Sequence, residues 1–192
     1  MKNKDCKMNL CKILFLSFAG LFFSVSAYSK SFDFDKYGTL KISIPDNWFI
    51  NSKPVRIPKD ELVSYKFVIK PRNKANAELL ITFIFIGNQT PDVKKIEAEL
   101  KQNCKQFVSK SVEKKINIKH FSLKTGCGAY CTLTDASLIG KKTNPGEYKI
   151  MGSGEVQITS NVFGTVSIMA NNAKSKEFKE MIQIINSLKI KQ

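Results

Sequence analysis

Few residues in this 192-residue chain could carry chemistry at neutral pH, and they begin with five Cys and one His. A single imidazole excludes any site built on two. Cys104, Cys127 and Cys131 are the thiols nearest one another in the body of the chain. Cys127 and Cys131 are spaced Cys-x3-Cys, which is neither the Cys-x2-Cys of a zinc knuckle nor that of a thioredoxin-type site. A zinc site would need a fourth ligand, and the nearest candidate, His120, sits alone in Lys119-His120-Phe121. No metal and no cofactor are expected. The flexible setting Gly126-Cys127-Gly128 offers a candidate nucleophile, but a base is missing unless His120 reaches it across a hairpin. Asp33, Asp35 and Asp46 lack the alternating oxygen ligands of a calcium loop and read as turn residues. No Gly-x-Ser-x-Gly elbow occurs. Gly152-Ser153-Gly154 lies inside a strand run, without the further Gly or helix start that phosphate binding needs, and reads as a bulge. Aromatic residues fall on apolar faces rather than between basic residues, so nucleic acid is not an expected partner. The chain is expected not to be an enzyme.

These residues sit behind an export pattern. Lys2, Lys4, Lys7 and Lys12 precede an apolar stretch from Ile13 to Phe23, and Val25 and Ala27 take the small-residue places before a cleavage site. Eleven apolar residues are too few to span a bilayer, which takes about 20. Residues 1–27 are therefore expected to be a cleaved secretory signal, with an uncleaved anchor as the competing reading. Residues 28–192 are expected to form one domain, periplasmic or secreted. The whole chain carries 31 Lys and Arg against 16 Asp and Glu. Without the four lysines and Asp5 of the signal the net charge is still +12. Such charge favours anionic surfaces or acidic proteins, and also simple solubility.

The elements that must position the thiols follow from periodicity. Leu40, Ile42 and Ile44 alternate with polar residues, as in a strand with one buried face. Trp48 opens another strand, and residues 51–60, with Pro54 and Pro58, read as a surface loop. Val63, Tyr65, Phe67 and Ile69 share one strand face. Leu79–Ile86 is nearly continuous in apolar residues and reads as a central strand covered on both faces. Thr90-Pro91 reads as a helix start, followed by a stripe of Val93, Ile96, Leu100, Cys104, Phe107 and Val108 that ends near Val112. Strands are expected over 116–123 and 129–139, and a hairpin over 147–160 and 162–170. A last helix runs from Lys174 to Leu188, with Phe178, Met181, Ile182, Ile185 and Leu188 on one face. Short turns between consecutive strands imply a mostly antiparallel sheet of about six to seven strands. Two main helices can cover its faces, an α+β sandwich.

This arrangement ranks the cysteine pairs. Cys104 lies about 12 Å from the helix end at 1.5 Å per residue. The next strand climbs about 26 Å at 3.3 Å per residue before the chain turns back. On that return Cys131 reaches the level of Cys104, while Cys127 stays near the turn. Cys104–Cys131 is the expected disulfide. Cys104–Cys127 and Cys127–Cys131 remain open.

The segment Tyr37–Trp48, which ends in Pro45-Asp46-Asn47-Trp48, resembles the opening of the PsbP-like family. The closing strand Val162–Ala170 and the helix tail Ile185-Asn186-Ser187-Leu188-Lys189 are similar to that family too. The resemblance covers most of residues 32–190 as an order of elements. It implies an α/β/α sandwich and a non-catalytic adaptor or assembly role in the cell envelope. The three thiols belong to no motif of the family, and no metal-related residues match. With the basic charge, this leads to an expected docking module for an envelope protein or an anionic membrane surface. The expected surface comprises Lys53, Arg56, Lys59, Arg72, Lys74, Lys141 and Lys142. The alternative is a small-ligand or lipid carrier with a cleft near Trp48.

Overall fold

The computed structural model describes residues 27–57, 61–73 and 75–192. The expected signal segment lies outside the described residues apart from Ala27, as do Lys59 and Lys74. The elements in chain order are β1 Ala27–Asp33, β2 Thr39–Pro45, β3 Trp48–Ile57, β4 Glu61–Pro71, β5 Ala77–Phe85, α1 Val93–Val108, β6 Ile118–His120, β7 Cys127–Thr134, β8 Ile150–Gln157, β9 Val162–Ala170, α2 Lys176–Asn186 and β10 Lys189–Lys191.

Seven strands form one antiparallel sheet in the order β3-β4-β5-β9-β8-β7-β6. With two helices this is the expected α+β class and strand number. Leu79, Ile81 and Phe83 of β5 and Val166 and Ile168 of β9 point to one face, which packs on α2 and on β2. Phe34, Phe67 and Phe83 meet there ring against ring. Each fully buried ring of this kind contributes about 2–3 kcal/mol by apolar transfer. The α2 helix starts at Ser175, whose Oγ accepts the Phe178 amide. Its Phe178, Met181, Ile184 and Ile185 enter the core.

Several expectations are corrected. Periodicity assigns no element before Leu40, yet Ala27–Asp33 is strand: β1 pairs with β2, and β10 pairs with the other edge of β2. This second, three-stranded sheet shares the outer layer with α2. Residues 51–57 are strand rather than loop. Pro54 is tolerated because β3 is the sheet edge, where one side of the backbone needs no partner. A register shift at Val55/Arg56 disturbs that edge further. Asp92, not Thr90, caps α1: its Oδ1 accepts the amides of Lys94 and Lys95 at 2.9 and 3.4 Å. The strand expected over 116–123 is only Ile118–His120, and the returning strand stops at Thr134.

The largest correction concerns coverage. The α1 helix lies mainly over β7, β8 and β6. The face of β5 that carries Leu80, Thr82 and Ile84 stays partly open, so β5 is covered on one side rather than two. A helix is about 10 Å wide, which spans two strands and not seven.

Candidate functional site

Ile96, Leu100 and Cys104 follow at intervals of four along α1 and are buried against β7. On β7, Ala129, Cys131 and Leu133 alternate toward the helix. Cys104 and Cys131 form a disulfide, and both are buried. Cys127 lies on the same face of β7, about 13 Å from Cys131 along the strand, and remains a free thiol. Burial, and then the Asp92 carboxylate, push that thiol up from its usual value, which disfavours the reactive thiolate. His120 does not serve Cys127. Its Nε2 lies 2.7 Å from Glu97 Oε1 at the surface of α1.

Beyond the disulfide the surface opens into a groove of about 150 Å³. Cys131 and Leu133 of β7 and Met151 of β8 form its floor, and Phe107 of α1 and Tyr148 stand at its sides. Phe107 was expected in the buried stripe of the helix. It is 46% exposed, because the last turn of α1 overhangs the groove, and Met151 is 55% exposed. The walls are held in place from outside. The Lys110 carbonyl accepts the Ala136 amide, and Val112 donates to Thr134, which ties the end of α1 to the end of β7. The Tyr148 hydroxyl donates to Glu78 Oε2 at 2.8 Å, and Lys70 neutralises the same carboxylate at 2.9 Å. Desolvation and that carboxylate push the phenol up to about 12, so it stays a donor at physiological pH.

The rim is basic. Lys110, at the end of α1, and Lys149, at the entry to β8, both line the groove. Asp135 is the acid on the rim. Hydrogen bonds from Ser137, and then the nearby charges of Lys110 and Lys141, hold its carboxyl below the usual range. Lys141, exposed in the loop before β8, acts on Asp135 through its charge but does not line the groove.

The other expected residues are dispersed. Lys142 is exposed in the same loop, and Lys53 is exposed on the edge strand. Arg56 forms two short contacts with Asp35, at 2.7 and 3.1 Å. Arg72 lies near the opposite end of β3, where its Nε donates to the Trp48 carbonyl. Eight strand residues, about 26 Å, separate that end from Arg56. Arg72 and the 141–149 loop do share one end of the sheet, since Asn76 donates to the carbonyls of Asn144 and Glu147. Trp48 is corrected outright. It is completely buried, and its Nε1 donates to Glu180 Oε2 at 2.8 Å. Lys176 balances Glu180 from the preceding turn of α2. A filled core position cannot line a cleft.

Sequence reading did not single out Tyr148, Met151, Lys110 or Lys149. Alternation places Met151 on the face opposite Ile150 and Gly152, which was the available signal. Only the register of β7 with β8, Leu133 opposite Met151, sets it beside the disulfide.

No protein-family model matches the chain, and no curated protein matches it. Among solved structures it is similar to the solution structure of cyanobacterial PsbP (CyanoP) from Synechocystis sp. PCC 6803. Identity is 11%, the match covers 92% of this chain and 99% of that one, and the TM-score is 0.48. This is the family that the Pro-x-x-Trp segment resembles. The α+β fold described above stands on its own strand order and register.

Proposed function

We propose that this protein is an exported, non-catalytic docking module of the cell envelope that holds a protein partner at the groove beside Cys104–Cys131. The observation that carries the reading is the pairing of exposed apolar side chains, Phe107 and Met151, with a rim of Lys110 and Lys149. Apolar anchors inside a charged rim are the anatomy of a protein interface. Export rests on the signal pattern of residues 1–27 and agrees with a disulfide, which persists in oxidising compartments. No helix among the described residues is long and apolar enough to cross a membrane. The carrier alternative is the weaker reading. The region near Trp48 is filled, and a groove of about 150 Å³ is small beside the roughly 300–1,000 Å³ of ligand pockets.

The test is photo-crosslinking in the producing cell. A crosslinking side chain at Met151 is compared with one at Thr165, which is exposed on β9 of the same sheet face. The reading expects a discrete protein adduct from position 151 that is absent from 165 and is lost when Lys110 and Lys149 are both changed to Glu. No adduct at 151, or the same adducts at both positions, would reject it.

A further inference from the structure

We infer that the groove takes one aromatic side chain of an acidic peptide segment. The inference rests on the docking reading and specifies its occupant. Size comes first. A dry apolar cavity of about 150 Å³ admits a benzene-sized group, and this groove has that volume. It therefore suits one ring, and not an acyl chain of ordinary length.

The lining makes the same selection. Phe107 and Tyr148 offer ring faces and edges, and Met151 and the disulfide offer polarizable sulfur. Rings pack on rings in offset or edge-on geometry, and sulfur at a ring edge adds a further attraction. A single aromatic anchor seated in such a pocket is the usual centre of a binding hot spot.

Charge then selects what flanks the ring. Lys110 and Lys149 line the opening. The acids that touch the lining already have donors: Ser137 donates to Asp135 at 2.8 Å, Thr134 donates to Glu113, and Tyr148 and Lys70 hold Glu78. A segment with carboxylates on either side of its aromatic residue meets complementary charge there, and a basic segment is repelled.

The surroundings distinguish a peptide from a membrane. Beyond Met151 the sheet face is mixed, with the hydroxyls of Ser153, Ser167, Thr165 and Thr82 set among Met169, Leu80 and Ile84, read across the register of β8, β9 and β5. These hydroxyls can hydrogen-bond to a peptide, and they would be costly to press into an acyl layer.

The experiment is a titration of the purified, disulfide-bonded protein, followed by the NMR methyl resonance of Met151. The probes are the synthetic peptides Asp-Glu-Phe-Glu-Asp and Asp-Glu-Ala-Glu-Asp, and phosphatidylglycerol vesicles. The Phe peptide is expected to shift the resonance saturably, and the Ala peptide to bind at least tenfold more weakly. Lys110→Gln with Lys149→Gln is expected to weaken the Phe peptide at least tenfold while the melting temperature stays unchanged. Equal binding of the two peptides, no shift at millimolar peptide, or a shift caused by vesicles alone would overturn the inference. A positive crosslink from Met151 beside a failed titration rejects the occupant and leaves the docking reading standing. Failure of both rejects both.

Discussion

Glu155→Gln is expected to abolish most of a pH-dependent loss of stability between pH 5 and 8. Glu155 is on β8, 6% exposed, on the face under α1. Its Oε1 accepts a long hydrogen bond, 3.3 Å, from Asn103 Nδ2, and its Oε2 has no hydrogen-bond partner. Burial, and then the Glu99 carboxylate of α1, raise it from an ordinary 4.5 to about 7, and Asn103 only partly opposes them. The sign follows from proton linkage. The folded carboxyl keeps its proton after the unfolded one has lost it, so the folded state is favoured below about pH 4.5. That advantage disappears as pH rises to about 7, and above it the native state contains an ionised, poorly solvated acid. At about 1.4 kcal/mol per tenfold change in proton affinity, the interval amounts to about 3 kcal/mol. The accessible surface of Glu155 is small, but α1 is a thin cover, and solvent screening around the pair reduces the figure to about 1.5 kcal/mol. For a domain of this size that is about 3–6 °C in melting temperature. Thermal unfolding at pH 5 and pH 8, followed by circular dichroism, provides the assay. The unaltered protein should lose those degrees on going to pH 8, while the Gln variant, able to donate to Glu99, should lose few. Parallel losses in the two proteins would show that Glu155 is not the titrating group, and the reasoning would fail.

Two other perturbations separate structural roles from functional ones. Replacing Cys104 and Cys131 by Ser opens a link across 27 residues of sequence, worth about 3.5 kcal/mol by chain entropy, and calorimetry should record a fall of about 7–14 °C. Cys127→Ser should leave the melting temperature nearly unchanged, and an equally large fall would mean that Cys127 takes part in the link. Trp48 is the only tryptophan, so its fluorescence should resist iodide quenching in the folded protein and become accessible on unfolding. Trp48→Phe leaves the Glu180 carboxylate short of a donor and should cost about 2 kcal/mol without changing the crosslink from Met151. Ready quenching in the folded state would restore a cleft at Trp48.

Much of the fold was legible along the chain because period is a local property. Leu40, Ile42 and Ile44 alternate, and Ile96, Leu100 and Cys104 recur every four residues, whatever they later touch. The Cys104–Cys131 pairing belongs to the same class, since the rise per residue of a helix and of a strand places the two thiols at one level before any contact is known. Other features were illegible for definite reasons. β1 and β10 become strands only because β2 offers them two edges. The Pro54 segment is strand only because it falls on the outside of the sheet.

Period says which residues share a face, and it is silent on whether that face is covered. Leu80, Met151 and Phe107 have the character of core residues, and Glu155 and Glu180 that of surface residues. The tertiary structure reverses these assignments to different degrees. α1 settles over β6, β7 and β8, leaving Leu80 half-open, Met151 and Phe107 exposed, and Glu155 shut in. α2 closes over Trp48 and carries Glu180 inward with it. The amino-acid sequence by itself determined most of the elements, their amphipathic faces and the basic charge, all set by neighbours within a few residues, and it ranked Cys104–Cys131 first among three possible pairings. The groove was decided only when strand order placed β8 between β7 and β9 and the disulfide held α1 at one side of the sheet, because a concave site is made by elements distant in sequence.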